Sequence, residues 1–102
     1  MPGPLDGIKV IDLTSMVSGP LTTMILADQG ADVIKIENPN GGDLTRGVST
    51  RHGGFSASFL NNNRNKRSVA INLKDPRGVA VLKKLVADAD VFVQNFRPGV
   101  VE

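Results

Sequence analysis

The sequence predicts an α/β fold: a Rossmann-like parallel sheet with helices on both faces. Three observations carry the prediction. The stretch from Ile8 to Glu37 reads as one complete strand, helix, strand unit. Period-two alternation returns at Val69, Ile71 and Leu73, and a capped amphipathic helix follows it. A further apolar run, Val91 to Val93, comes after that helix. Strands that alternate with helices belong to parallel sheets, because parallel neighbours need crossover connections and the helices then cover both faces.

In the first unit, Ile8, Val10, Ile11 and Leu13 form an apolar run that breaks at Thr14 and Ser15, and Val33, Ile34 and Ile36 form a second run after Gly30. Gly19 and Pro20 suit the start of the intervening helix, since proline's fixed φ is pre-set for the first turn, where its missing N–H has no partner to lose. Gly30 suits its end, where a residue without Cβ is wanted. Leu21, Met24, Ile25, Leu26 and Ala27 wrap most of the helix circumference, which predicts cover on both sides.

Asn38 to Gly54 is rich in Gly, Asn and Pro without a sustained period and reads as a long irregular connection, with the lone His52 in a loop. Phe55 and Phe59, four apart, predict one short helical turn. Asn61 to Arg67 reads as a polar, flexible segment ahead of the third strand, Val69 to Leu73. Asp75 and Pro76 open the next helix as cap and first residue, with Val79, Leu82, Leu85, Val86 and Ala89 on one face and Arg77, Lys83, Lys84 and Asp88 on the other. After the fourth strand, Asn95 to Gly99 turns toward another helix start at Pro98.

A chain of 102 residues with an apolar fraction of 40% supports one domain with a modest core. Cysteine is absent, so disulfides, a thiolate nucleophile and Cys-ligated zinc are excluded and a reducing, cytoplasmic setting is expected. His52 without a paired His is too little for zinc, and no metal is expected. The start, MPGPLDGI, lacks a leader pattern, and no apolar run approaches bilayer length, so neither export nor membrane insertion is expected. The net charge of +2 is unevenly placed: residues 1–37 sum to −3 and residues 38–67 to +4, which predicts that the middle of the chain seeks an anion.

Ligands of doubly wound sheets bind at the carboxyl ends of the strands. Here those are Thr14 to Ser18, Asn38 onward, Asn72 to Asp75 and Asn95 to Gly99. The turn TSMVSGP has one glycine where a dinucleotide fingerprint needs three, and no P-loop occurs, which disfavours NAD and nucleoside triphosphate hydrolysis. Gly19 alone is equally a plain helix-start glycine, and Met16 and Val17 are equally core. The run NNNRNKRS is open to three readings: a solvated strip, an RNA-binding strip or a phosphate clamp. With aromatics at 4% and none interleaved, stacking platforms for RNA are missing. Lys74 and Arg97 each follow a strand end, so the sheet brings both toward one rim, where they suit phosphate or carboxylate.

Taken together, LDGIKVIDLT, the SGP turn, LADQGADVIKIE, GGDLTRG, NRNKRSVAINLKDPRG and ADVFVQNFRPGV, in this order, resemble the start of the class III (CaiB/BaiF-type) CoA-transferases, which include formyl-CoA transferase and α-methylacyl-CoA racemase. The resemblance covers nearly the whole chain. It implies that residues 1–102 are the N-terminal part of a large Rossmann-like CoA-binding domain, and thus a partial domain, in an enzyme of two interlocked subunits. It implies coenzyme A or acyl-CoA and a carboxylate as substrates. It also implies an aspartate nucleophile that attacks the thioester and lies beyond Glu102, so that this chain has no catalytic residue and is inactive alone. Racemase or dehydratase chemistry on the same scaffold is the close alternative, and a stand-alone anion- or RNA-binding module is the alternative of another class. The CoA contacts implied are the lip Val17 and Ser18, the nucleotide-end stretch Ile71, Asn72, Leu73 and Lys74, and the group Asn95, Phe96 and Arg97. Asn38 stands where some members have arginine, and Val17 where formyl-CoA transferases often have glutamine, which argues against formyl or oxalyl substrates.

Overall fold

A computed structural model of the chain describes residues 3–15, 18–40, 42–43, 51–52, 55–56 and 63–96. The elements run β1 (Lys9–Leu13), α1 (Ser18–Asp28), β2 (Asp32–Glu37), β3 (Arg51–His52), β4 (Phe55–Ser56), β5 (Lys66–Ala70), α2 (Pro76–Ala87) and β6 (Val91–Gln94). Four strands form one sheet in the order β5-β2-β1-β6, and every neighbouring pair is parallel. The chain leaves β1 in both directions, to β2 and β5 on one side and to β6 on the other. The carboxyl ends of β1 and β6 therefore flank a topological switch point, where such sheets open a crevice for ligands.

Alternation along the strands gives each helix its own face. Val10 and Val33 meet Ala27 of α1, with Ala31, Leu26 and Val93 packed alongside. Ile11, Leu13, Ile36 and Ile71 meet the other helix, through Leu82, Leu85 and Val86 of α2 and Ala89 beyond it. The sheet thus carries helices on both faces, as expected. Helix α2 begins as the sequence predicts: Asp75 accepts a hydrogen bond from the Arg77 N–H at 2.9 Å, and Pro76 is its first residue. Gly30 closes the end of α1 with φ +103°.

Four expectations need correction. The third strand runs over Lys66–Ala70, not Val69 to Leu73. It is an edge strand, so a run of charged residues can face water or reach neighbouring carboxylates, and edge strands use charge in this way. Ile71 still donates its N–H to the Glu37 carbonyl at 3.0 Å, but Leu73 is already in the turn. Phe55 lies in β4, which pairs antiparallel with β3, instead of a helical turn, and Phe59 lies outside the described residues. His52 is likewise in a short strand. Helix α1 is not covered on both sides: Leu21 is 39% exposed and Ile25 47%. The predicted helix start at Pro98 lies outside the described residues.

Among the described residues, the charge asymmetry is partly balanced inside the fold. Arg64 pairs with Asp28 at 2.7 Å, Lys66 with Asp12 at 2.8 Å and Arg67 with Asp32 at 2.7 Å. Three cations of the basic middle segment are thus neutralised by three carboxylates of the acidic first unit. Asn65, at φ +65°, adds its amide to Asp28 at 2.7 Å, the left-handed conformation being one that Asn tolerates. The run NNNRNKRS is in this part a clasp on α1, β1 and β2, not a free anion-binding strip.

Candidate functional site

A cleft of about 340 Å³ opens at the carboxyl ends of the parallel strands, at the lower end of the range typical of small-molecule sites. All four predicted loops contribute to it. Leu13, Ile36, Ile71, Leu73 and Phe96 give it an apolar lining, Asn38, Asn40, Asn72 and Lys74 give amides and a cation, and Thr14, Ser15, Glu37 and Asp43 line it with hydroxyls and carboxylates that are tied to neighbours inside the protein. Asn72 folds its own turn: its Oδ1 accepts the Lys74 N–H at 3.0 Å, and its carbonyl accepts the Asp75 N–H at 3.2 Å. That turn sets Lys74 at the mouth beside the start of α2. Among the described residues no carboxylate pairs with Lys74, in contrast to the cations of the clasp. A cation beside apolar walls and side-chain amides suits a ligand with an anionic group on an uncharged body.

Beneath the cleft, on the α1 face of the sheet, lies a charge-balanced buried quartet. Lys35 Nζ meets Asp43 at 2.8 Å and Asp12 at 4.0 Å, and it donates to the Thr14 carbonyl at 3.2 Å. Lys66 Nζ donates to Asp12 at 2.8 Å, to Asn63 at 2.8 Å and to the Pro20 carbonyl at 3.0 Å. Asp12 also accepts from the Thr23 hydroxyl at 2.8 Å, from the Thr14 N–H at 3.0 Å and from the Thr14 hydroxyl. Glu37 accepts the Asp43 N–H at 2.9 Å and the Ser68 hydroxyl. The charged side chains of the quartet are at most 2% exposed. Burial pushes the Lys66 ammonium below its ordinary pKa, against the opposing pull of Asp12. Charges this deep persist only when paired and hydrogen-bonded.

Of the residues named from sequence, the cleft brings together Asn38, Ile71, Asn72, Leu73, Lys74 and Phe96. Asn38 Oδ1 accepts the Asn40 N–H at 2.8 Å and shapes the loop after β2. Ser18 is instead the first residue of α1, its carbonyl accepting from Thr22. Asn95 turns its amide onto Ser15, donating to the carbonyl at 2.8 Å and accepting the N–H at 3.2 Å. Val17 and Arg97 lie outside the described residues. Sequence reasoning held Thr14, Ser15, Asn40 and Asp43 within its candidate loops without singling them out, and it missed Glu37. The signal available was Lys35 between Ile34 and Ile36 and Asp12 between Ile11 and Leu13: a charge inside a buried strand demands a partner.

These features define an α/β protein with a cleft at the carboxyl ends of a parallel sheet. The family model of CoA-transferase family III matches residues 5–102, and the chain belongs to that family. It is 50% identical over 101 residues to succinyl-CoA:glutarate CoA-transferase of Mus musculus, covering 94% of this chain and 22% of that protein. It is 48% identical over 100 residues to acetyl-CoA:oxalate CoA-transferase of Acetobacter aceti, covering 98% of this chain and 26% of that protein. A solved CAIB/BAIF family protein from Brucella suis superposes with a TM-score of 0.90 at 39% identity, over 97% of this chain and 27% of that one. The chain thus spans about a quarter of the length of these relatives. Among the described residues no helix is long and apolar enough to cross a membrane, and no group of three His, Cys, Asp or Glu is placed to hold a metal ion.

Proposed function

We propose that the chain is the N-terminal part, residues 1–102, of the large Rossmann-like domain of an enzyme that transfers CoA between an acyl-CoA and a carboxylic acid, and that the cleft holds part of the CoA. The observation that carries this reading is the convergence of four strand-end loops on one cleft with Lys74 at its mouth, in a chain of this family. In this reading Lys74 meets a phosphate, Asn38 and Asn72 offer amides to the polar parts of CoA, and Ile71, Leu73 and Phe96 pack its uncharged parts. Val17, Ser18 and Arg97 complete the contact set expected from the family motifs.

The chemistry follows from an aspartate nucleophile beyond Glu102: its carboxylate attacks the acyl-CoA thioester, expelling CoA thiolate and forming a mixed anhydride, and the thiolate then attacks the aspartyl carbonyl, releasing the donor acid as carboxylate and leaving an aspartyl-CoA thioester. The acceptor carboxylate takes CoA from that thioester by the same two steps in reverse, a sequence that needs no metal. The working enzyme is proposed to be a cytoplasmic homodimer whose partners are acyl-CoA and carboxylate substrates and the remainder of its own chain, without nucleic acid or membrane. Relatives named for glutarate and for oxalate are nearly equally similar, so acceptor identity is a matter for assay. The test incubates the full-length enzyme with succinyl-CoA and a panel of carboxylic acids and reads new thioesters by mass spectrometry. Acceptor-dependent formation of a new acyl-CoA is expected. Deuterium exchange at the α-carbon of an acyl-CoA without any acceptor, and no transfer, would establish the racemase alternative instead.

A further inference from the structure

Three rim loops of the cleft meet on one residue, Ser15. From the β6 side, the Asn95 amide donates to the Ser15 carbonyl at 2.8 Å and accepts its N–H at 3.2 Å. From the β2 side, Asp43 Oδ1 accepts the Ser15 hydroxyl at 3.2 Å. Asp43 is itself fixed by Lys35 at 2.8 Å and, through its N–H, by Glu37 at 2.9 Å. Ser15, Glu37 and Asp43 all line the cleft.

The residue types fit these tasks. A side-chain amide carries an N–H donor and a C=O acceptor side by side on one planar group, as a peptide does, so it can mimic a strand partner for a single residue. The last pair of the β1 and β6 ladder is Leu13 with Gln94, and Asn95 prolongs that pairing onto Ser15 across the switch point. Asp43 must be a carboxylate because Lys35, 1% exposed, is an ammonium buried on the sheet. Gly42, at φ +73°, lets the chain turn sharply into it.

We propose that Asn95 and Asp43 are positioning residues for the cleft that act jointly through Ser15, so that the loops after β1, β2 and β6 hold one geometry when CoA binds. The family motifs suggest a direct CoA contact for Asn95, whereas here both polar atoms of its side chain are engaged by Ser15. The inference rests on the acyl-CoA reading above. Its distinctive consequence is coupling: Asn95 and Asp43 share no hydrogen bond, yet loosening Ser15 from either side costs the same preorganisation.

The test is a double-mutant cycle on CoA affinity in the full-length enzyme, by calorimetry, with Asn95→Asp and Ser15→Ala as the two changes. Ser15→Ala removes the link to Asp43 but leaves the Lys35 pair intact, so it avoids the folding risk of Asp43→Asn. Each single change is expected to weaken CoA by about fivefold to tenfold, and the double change by much less than the product, a coupling on the scale found for residues in one network. Melting temperatures measured alongside report stability separately. Unchanged affinity in both single variants, or strictly multiplicative losses, would overturn the inference while leaving the acyl-CoA reading standing. A parent enzyme that binds no CoA would overturn the reading itself, and the inference with it.

Discussion

Lys66, on the edge strand β5, reaches across β2 to place its ammonium 2.8 Å from the carboxylate of Asp12 on β1. The contact locks three strands together on the face that α1 covers, and Thr23 of α1 bonds the same carboxylate. The two ends of the pair are not equivalent. Asp12 keeps Thr14 and Thr23 as donors if Lys66 is lost, whereas loss of the Asp12 charge leaves two buried lysines with Asp43 alone among the quartet's carboxylates. Asp12→Asn is therefore expected to cost about 3–5 kcal/mol of stability, and Lys66→Met clearly less. Denaturant unfolding of the full-length enzyme checks this, and a larger loss for Lys66→Met would contradict it.

Gly78 lies in the first turn of α2, where a Cβ would sit 2.1 Å from the Asn72 carbonyl oxygen and 3.0 Å from Ile71 Cγ2. Alanine at an ordinary helix position improves on glycine by about 1 kcal/mol, but forcing a methyl into a packed site costs typically about 1–3 kcal/mol. Both atoms it would strike belong to backbone or core, so the clash wins. Gly78→Ala is expected to lower the melting temperature and, by pushing Asn72 into the cleft, to weaken CoA as well. A rise in melting temperature with unchanged affinity would show that the close approach does not matter.

The Arg64 guanidinium, with the Asn65 amide, holds the Asp28 carboxyl below its ordinary pKa of 3.8. The folded chain therefore binds this proton less readily than the unfolded chain. The resulting stabilisation is complete above about pH 4 and is lost as pH falls through the lowered folded-state value. Arg64→Met should shallow the loss of stability between pH 4 and pH 2 relative to the parent, read from unfolding midpoints across that range. Because the pair is solvent-exposed, its effect at neutral pH should be small and should shrink further with salt.

On the proposed reading the nucleophilic aspartate lies beyond Glu102, so the 102-residue chain alone is expected to turn over no acyl-CoA. Mass-verified chain incubated with acyl-CoA and carboxylic acids decides the point, and any acceptor-dependent thioester formed would contradict it.

The alternation of sheet and helix was legible because it rests on local chemistry. The apolar runs at Val10 and Val33, the Asp75 cap with Pro76, and the stripe of Leu82, Leu85 and Val86 each announce an element without knowledge of the rest. The rim was legible for the same reason, since strand ends follow from strands. Strand β5 was misplaced because hydrophobic alternation points to Val69 and Ile71, while Lys66, Arg67 and Ser68 are in the ladder by virtue of carboxylates distant in sequence: Asp12, Asp32 and Glu37. The anion demand of Arg64, Lys66 and Arg67 was likewise misjudged from the charge blocks, because their balancing carboxylates are brought up only by the fold. Asn95 was found for its place in a motif, but its partnership with Ser15, eighty residues away, is a fact of tertiary structure.

The central claim is that the cleft at the strand ends binds CoA with Lys74 at a phosphate. Calorimetric titration of CoA into the full-length enzyme and into Lys74→Ala, with Arg97→Ala as a companion, tests it most directly. A charge-assisted contact to phosphate is worth about 1.5–3 kcal/mol, so each substitution is expected to weaken CoA by about one to two orders of magnitude. Affinity for Lys74→Ala within about twofold of the parent, a difference below about 0.5 kcal/mol, would contradict the claim.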